Sequence, residues 1–155
     1  DLTLEDMANL CDVFYIGGTK NGALIGDAIV FNKLDLNKNF RFHIKQKGGM
    51  LAKGRLIGIQ FSELFRNDLF FEIGKHANKM AEKLAKNISN KGFEFLTEPS
   101  SNQIFPIFPN ELIAKLQHHF EFFVWEKIDE EKSAIRLVTS WATPEEKVEY
   151  FIQSI

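Results

Sequence analysis

The sequence has little of several residue types, and each scarcity excludes a class of protein. Cys11 is its only cysteine, so no disulfide can form within the chain, and we expect a reducing, cytoplasmic compartment. No apolar run approaches the roughly 20 residues that cross a bilayer, so no membrane span is predicted. Lysine and arginine total 19 against 21 acidic residues, and the formal net charge of −2 favours neither nucleic acid nor an anionic membrane as a partner.

Phenylalanine, in contrast, is abundant. There are 16 Phe but only two Tyr and two Trp, and the Phe residues gather in runs such as 70–71 and 120–123. Alternation of this kind is typical of strands or helices that press one apolar face into a core. With 45% hydrophobic and 26% charged residues, the composition is that of a globular domain and not of a disordered or collagen-like chain.

The first half of the chain combines short strands with long helices. Residues 12–16 and 26–31 are β-branched and aromatic runs that predict short buried strands. Residues 50–87 have a helical period that is too long for one helix, and Asn67-Asp68 is the expected interruption. Gly48-Gly49 marks the predicted domain boundary, which divides the chain into residues 1–47 and 48–155.

The pattern of residues 90–155 predicts an α+β domain. Helices are expected from Pro109-Asn110 to about residue 119 and from Pro144 to the C-terminus, because proline suits the first turn of a helix. The predicted strands lie at 93–96, 103–108, 121–126 and 134–139. Two helices packed on one antiparallel sheet would close such a domain.

A turn with three glycines lies between the first two predicted strands and contains Lys20. The glycines let the backbone approach a ligand closely, and a lysine there can form a Schiff base with a carbonyl. The Thr19 hydroxyl and the exposed amides suit a phosphate, although the glycine spacing is not that of a P-loop. The alternative is a solvated lysine on a tight turn.

A cluster of basic residues at 45–55 and the single residue Arg136 are further candidates for anion binding. Residues 45–55 contain Lys45, Lys47, Lys53 and Arg55 among glycines, which fits an anion site, a solvated linker or, less well, a nucleic-acid contact. Arg136 lies within an apolar strand, where a guanidinium needs a carboxylate of the chain or of a substrate, unless it reaches solvent from an edge strand.

Metal and serine-hydrolase chemistry find little support. His118 and His119 are adjacent, so on a helix their side chains point about 100° apart and do not easily share one ion. No HExxH or CxxC motif accompanies them, and no G-x-S-x-G motif is present. No metal is therefore predicted.

Four segments, in the same order along the chain, resemble the threonine aldolase / β-eliminating lyase family of fold type I pyridoxal-phosphate enzymes. They are residues 14–22 with 26–30, 45–55, 102–106 and 135–141. The resemblance covers essentially the whole chain and implies the C-terminal part of that α/β fold. It comprises strands from the large domain in residues 1–47, then a long helical connector and a small α+β domain, an antiparallel sheet packed with helices, in residues 48–155.

The resemblance also implies roles for individual residues. Lys20 would be the catalytic lysine that binds pyridoxal 5′-phosphate covalently, and Thr19 would lie near the cofactor's phosphate. Lys53 and Arg55 would lie near that phosphate or at a subunit interface, and Arg136 would bind the α-carboxylate of the amino-acid substrate. The implied reaction cleaves a β-hydroxy-α-amino acid, such as threonine, to glycine and an aldehyde.

The chain begins with Asp1, about 20 residues before Lys20, and is expected to be a piece of a longer or processed protein. The resemblance implies that the family's ring-nitrogen aspartate and ring-stacking histidine lie upstream. We therefore expect a C-terminal half that is inactive alone and is completed by an N-terminal half or a partner subunit in a homo-oligomer. The alternative is a non-catalytic remnant that serves as a binding or oligomerisation module.

Overall fold

The computed structural model describes residues 3–155, which form two compact units. The first unit ends at Phe70, and the second comprises Phe71–Ile155. The predicted boundary between residues 47 and 48 refers to the large and small domains of a whole family enzyme, and it stays a prediction. No helix within residues 3–155 combines the length and the hydrophobicity needed to cross a bilayer.

The first unit contains a helix, a β-hairpin and two further helices. Thr3-Leu4-Glu5-Asp6 has the sequence form of a capping box, and α1 (Leu4–Leu10) begins with that box: the Thr3 hydroxyl accepts from the Asp6 N–H, and the Asp6 carboxylate accepts from the Thr3 N–H. β1 (Val13–Gly17) and β2 (Asp27–Phe31) pair antiparallel. α2 (Phe40–Gln46) and α3 (Arg55–Leu64) follow.

The predicted break in the long helical region is confirmed. A 3₁₀ turn at Arg66–Asp68 separates α3 from α4 (Leu69–Asn90), and Asn67 and Asp68 have positive φ angles of 52° and 60°. Asparagine and aspartate tolerate this left-handed conformation better than other non-glycine residues. Lys91-Gly92 is a sequence typical of a helix C-cap, and α4 ends there, with Gly92 at a φ of 85°.

The second unit is the α+β arrangement expected from the sequence. Its strands are β3 (Gln103–Ile104), β4 (Ile107–Pro109), β5 (Phe123–Lys127) and β6 (Lys132–Val138), and β6 pairs antiparallel with each of the other three. α5 (Asn110–Leu116) and α6 (Glu145–Ser154) pack with α4 around one apolar core. Its most deeply buried side chains are Met80, Ile88, Ile104, Phe108, Leu116 and Ile135.

Three local expectations are wrong. The predicted strand at 93–96 is reduced to a single bridge between Phe95 and Pro106, and the predicted strand at 103–108 is split into β3 and β4 around the same proline. Proline has no N–H to donate, so the ladder cannot continue through it. The third wrong expectation is the burial of the first two strands: neither β1 nor β2 has a buried residue, with Tyr15 74% and Ile29 44% exposed, because one face of this hairpin is left uncovered by the described residues.

Candidate functional site

The turn that carries Lys20 is a tight, hydrogen-bonded connection between β1 and β2. Thr19–Asn21 form one 3₁₀ turn, and the Gly18 carbonyl accepts from the backbone N–H groups of Asn21 at 2.9 Å and Ala23 at 3.0 Å. Gly22 closes the turn with a φ of 92°, a conformation that costs glycine little. The backbone around Lys20 is therefore fixed by its own hydrogen bonds.

Close packing explains why two of the other glycines are glycine. A Cβ at Gly18 would lie 2.7 Å from the Ala23 Cβ and 2.9 Å from the Phe61 ring, closer than carbon atoms approach one another in proteins. Gly26 has a φ of 93°, and a Cβ there would lie 2.8 Å from Ile57. Phe61 and Ile57 belong to α3, so the connection between the two strands packs directly against that helix.

Gln60 ties the connection to α3 and was not singled out by sequence reasoning. Its side-chain oxygen accepts from the Leu24 N–H at 2.7 Å, and its amide nitrogen donates to the Ile25 carbonyl at 3.4 Å. The Asn21 side chain adds a hydrogen bond to the Phe70 carbonyl at 3.3 Å. A glutamine that follows apolar residues by one helical turn is common in helices, so a single sequence contains no signal for the structural role of Gln60.

The Lys20 and Thr19 side chains are exposed on this fixed backbone. Within residues 3–155 the Lys20 amine has no hydrogen bond and no ion pair, whereas Lys33 on the next segment pairs with Asp12 at 2.8 Å. The lysine is therefore available to a ligand. The structure thus holds the backbone of Lys20 in place and leaves its amine without a partner among the described residues.

Lys53 and Arg55 lie at the beginning of α3. Arg55 is the first residue of the helix, and both side chains are exposed. α3 is the helix that packs against the Lys20 connection, but no hydrogen bond or ion pair within the described residues joins either side chain to Thr19 or Lys20. The predicted phosphate or interface role of these two residues stays a prediction.

Arg136 lies in β6, in the second unit, directly opposite Phe123 of β5. The centre of its guanidinium is 5.3 Å from the Phe123 ring centroid and 5.6 Å from that of Trp125. Its Nε is buried and has no hydrogen-bond partner, and no aspartate or glutamate within residues 3–155 pairs with it. The sequence left three alternatives for Arg136: a carboxylate of the chain, a carboxylate from a substrate, or solvent reached from an edge strand. β6 pairs with three other strands and is not an edge, and the described part of the chain supplies no carboxylate.

Arg136 is one of the residues that line a cleft of about 790 Å³ in the second unit. This volume is in the usual range for small-molecule sites, and the lining residues divide almost evenly between apolar side chains and polar or charged ones. The polar and charged lining residues are His119, Glu121, Arg136, Thr139, Thr143, Lys147 and Tyr150.

Two other titratable side chains of the second unit, His76 and Lys83, make structural contacts. His76 Nε2 lies 2.8 Å from the Thr143 carbonyl oxygen, which makes it the donor of a hydrogen bond between α4 and the segment before α6. Lys83 donates to Glu145 and Glu149, both at 2.7 Å. These contacts raise the pKa of Lys83 and lower the pKa of Glu145. Among the described residues, no cluster of histidine, cysteine and acidic side chains could hold a metal ion.

Comparisons with known proteins give one consistent result. No family model matches the chain. A low-specificity L-threonine aldolase of Pseudomonas aeruginosa is 28% identical over 148 residues, which are 93% of this chain and 41% of that protein. Its counterpart from a Pseudomonas species is 27% identical over 141 residues, which are 88% of this chain and 39% of that protein. A solved threonine aldolase from Leishmania major superposes with a TM-score of 0.95 at 43% identity, over 99% of this chain and 45% of that one.

The chain thus spans about two fifths of the length of the curated relatives that it matches. The predicted resemblance is confirmed, and so is the predicted fold class, because the match is to the C-terminal part of the solved enzyme. The roles of Thr19, Lys20, Lys53, Arg55 and Arg136 are not tested by these comparisons.

Proposed function

We propose that this chain, a homologue of the threonine aldolases over nearly its whole length, belongs to a lyase that depends on pyridoxal 5′-phosphate. The reaction would cleave a β-hydroxy-α-amino acid, such as L-threonine, to glycine and an aldehyde. The observation that carries the proposal is the Lys20 connection, where packed glycines fix the backbone and the amine has no partner within residues 3–155.

The residues present fit the reactive end of that cofactor. A lysine amine is the group that condenses with the cofactor's aldehyde, and the neighbouring Thr19 hydroxyl is a suitable donor to a phosphate oxygen. Lys53 and Arg55 are further candidates for holding the phosphate, since both are exposed and without an ion pair in the described part of the chain. When bound, the cofactor supplies an electron sink for cleavage at the α-carbon.

Arg136 is the proposed partner of the substrate carboxylate. A planar guanidinium can donate two parallel hydrogen bonds to a carboxylate, which fixes the orientation as well as the charge of the substrate. The buried Nε without a partner supports this role, because an unpaired buried donor is costly and such groups are normally satisfied.

We further propose that residues 1–155 do not catalyse the reaction alone and that the active protein is a cytoplasmic homo-oligomer. The chain spans about two fifths of its relatives' length. Large apolar side chains in the first unit are exposed, with Leu24 at 92% and Phe42 at 72%, and surfaces of this kind favour association. Turnover of L-threonine by the chain alone would contradict the first part, and a monomeric mass by light scattering would contradict the second.

Reductive trapping tests the role of Lys20. The chain is mixed with pyridoxal phosphate, reduced with borohydride and digested, and the label on each lysine peptide is quantified by mass spectrometry. We expect label on Lys20 at lower cofactor concentrations than on Lys33, which is also exposed but is ion-paired with Asp12.

The Lys20→Arg variant is the control, because it keeps the positive charge and cannot be trapped. It should lose the early label and keep the slow labelling of other lysines. Label that is spread evenly over exposed lysines would count against Lys20 as the attachment residue. That result would favour the non-catalytic module. It would leave the homology to threonine aldolases unaffected, because the homology rests on sequence and fold.

A further inference from the structure

Two aromatic rings flank the Arg136 guanidinium, and the backbone of β5 brings both of them there. Phe123 is the register partner of Arg136. After Val124 the register shifts, so that Glu126 opposes Ala134 and Trp125 has no partner residue on β6. This is a β-bulge, a device that re-aims side chains. It is at this bulge that the Trp125 indole lies close to Arg136.

Burial in the core does not account for these rings. Phe123 is 68% exposed and Trp125 is 52% exposed, so both differ from the general expectation that the Phe-rich segments pack into a core. Trp125 has one further aromatic neighbour, Phe105, whose ring centroid is 5.2 Å away. The Trp125 indole therefore contacts the Phe105 ring and also lies near the Arg136 guanidinium.

We propose that Phe123 and Trp125 are positioning residues that hold the Arg136 guanidinium in one orientation for the carboxylate of an amino-acid substrate. The proposal rests on the carboxylate role proposed for Arg136. A free arginine side chain has many rotamers, and ordering it on binding weakens affinity. Aromatic faces attract the guanidinium through their quadrupoles, so the two rings reduce that loss before the substrate arrives.

The Nε–H signal of Arg136 in ¹H–¹⁵N NMR spectra of the whole chain tests the proposal directly. The signal is assigned by its loss in the Arg136→Lys variant. In the unsubstituted chain we expect a rigid Nε–H, with a high heteronuclear NOE, and a shift of this signal on titration with L-threonine. In Trp125→Leu the NOE should fall, and the dissociation constant for L-threonine should rise about two- to five-fold, the usual range for one exposed cation–π contact.

Two further variants separate positioning from general effects on folding. Trp125→Tyr keeps an aromatic face and should retain most of the NOE and affinity. Trp141→Leu removes the other tryptophan, which is 50% exposed, and should change neither property. A Trp125→Leu variant with an unchanged NOE, or with unchanged affinity, would overturn the positioning role alone. An Arg136 signal that does not respond to L-threonine in the unsubstituted chain would overturn the carboxylate role, and the positioning role with it.

Discussion

Replacing Gly18 by alanine tests whether close packing fixes the connection that carries Lys20. The backbone at Gly18 has φ −102° and ψ −27°, which alanine adopts without strain, so only the new methyl group matters. That methyl would lie 2.7 Å from the Ala23 Cβ and 2.9 Å from the Phe61 ring. The ring can move by rotation, but Ala23 is attached to the same short connection and cannot retreat without moving the backbone.

The magnitude follows from two opposing effects. Overpacking of this kind costs about 1–3 kcal/mol, while glycine to alanine gains about 0.4–1 kcal/mol by restricting the unfolded chain. We therefore expect Gly18→Ala to destabilise the hairpin by roughly 1–2 kcal/mol. Gly17→Ala is the matched control, because the nearest atom to its Cβ would be the Asp27 carboxylate oxygen at an ordinary 3.6 Å. The control should be neutral or slightly stabilising.

Hydrogen–deuterium exchange is the suitable assay because it reports on β1 and β2 separately from the second unit. A loss of about 1.4 kcal/mol corresponds to a tenfold increase in the exchange rate of amides that open with the hairpin. Peptides from residues 13–31 should exchange faster in Gly18→Ala, and peptides from β6 should be unchanged. Equal exchange in Gly18→Ala and Gly17→Ala would refute the argument that the close approach at Gly18 constrains the connection.

Two further predictions concern the second unit. Thr139→Val removes a buried hydroxyl that donates to the Ala77 carbonyl at 2.7 Å. It should lower the free energy of unfolding by about 1–2 kcal/mol, measured by urea titration. Thr97→Val, at an exposed threonine, is the control and should leave that free energy unchanged. Lys83→Met should lower the thermal midpoint only within a pH window. The pKa of Glu145 is lowered from 4.5 and that of Lys83 is raised from 10.5, so the ion pair stabilises fully between these values. Its contribution is lost as the pH falls through the folded-state pKa of Glu145 or rises through that of Lys83, and an equal deficit at pH 7 and pH 2 would contradict this account.

The features that the sequence predicts well are those decided by neighbouring residues. The capping box at Thr3 and Asp6 needs only two residues three positions apart, and the break at Asn67-Asp68 follows from their tolerance of a positive φ. α2 escaped prediction because residues 32–45 are rich in lysine and asparagine, and their apolar residues mostly recur at every second position, which is not the period of a helix.

The supports of the candidate site depend on tertiary contacts and are therefore hidden in the sequence. Gln60 accepts a hydrogen bond from the Leu24 N–H, 36 positions away in the sequence, and no local sequence pattern around Gln60 predicts that bond. The bulge at Trp125 depends on the register between β5 and β6, which a single-strand pattern does not fix. Lys20 and Arg136 could be singled out because each residue is unusual for its immediate neighbourhood, a charge among glycines in one case and among apolar residues in the other.

The contacts around Lys20 distinguish a ligand-binding residue from a solvated lysine. A solvated lysine needs nothing from its surroundings, and a two-strand connection of ordinary turn residues would present it equally well. Here Gly18 leaves no room for a Cβ, which would lie 2.7 Å from the Ala23 Cβ, and Gln60 uses both ends of its amide on the adjoining backbone. These contacts fix the backbone position of Lys20, and they leave its amine without a partner in the described part of the chain. A rigid backbone beneath an unpaired amine favours covalent attachment of a carbonyl ligand at Lys20 over attachment at other exposed lysines. If these contacts serve the lysine, Gly18→Ala should reduce early borohydride-trapped label on Lys20 while leaving the labelling of Lys33 unchanged.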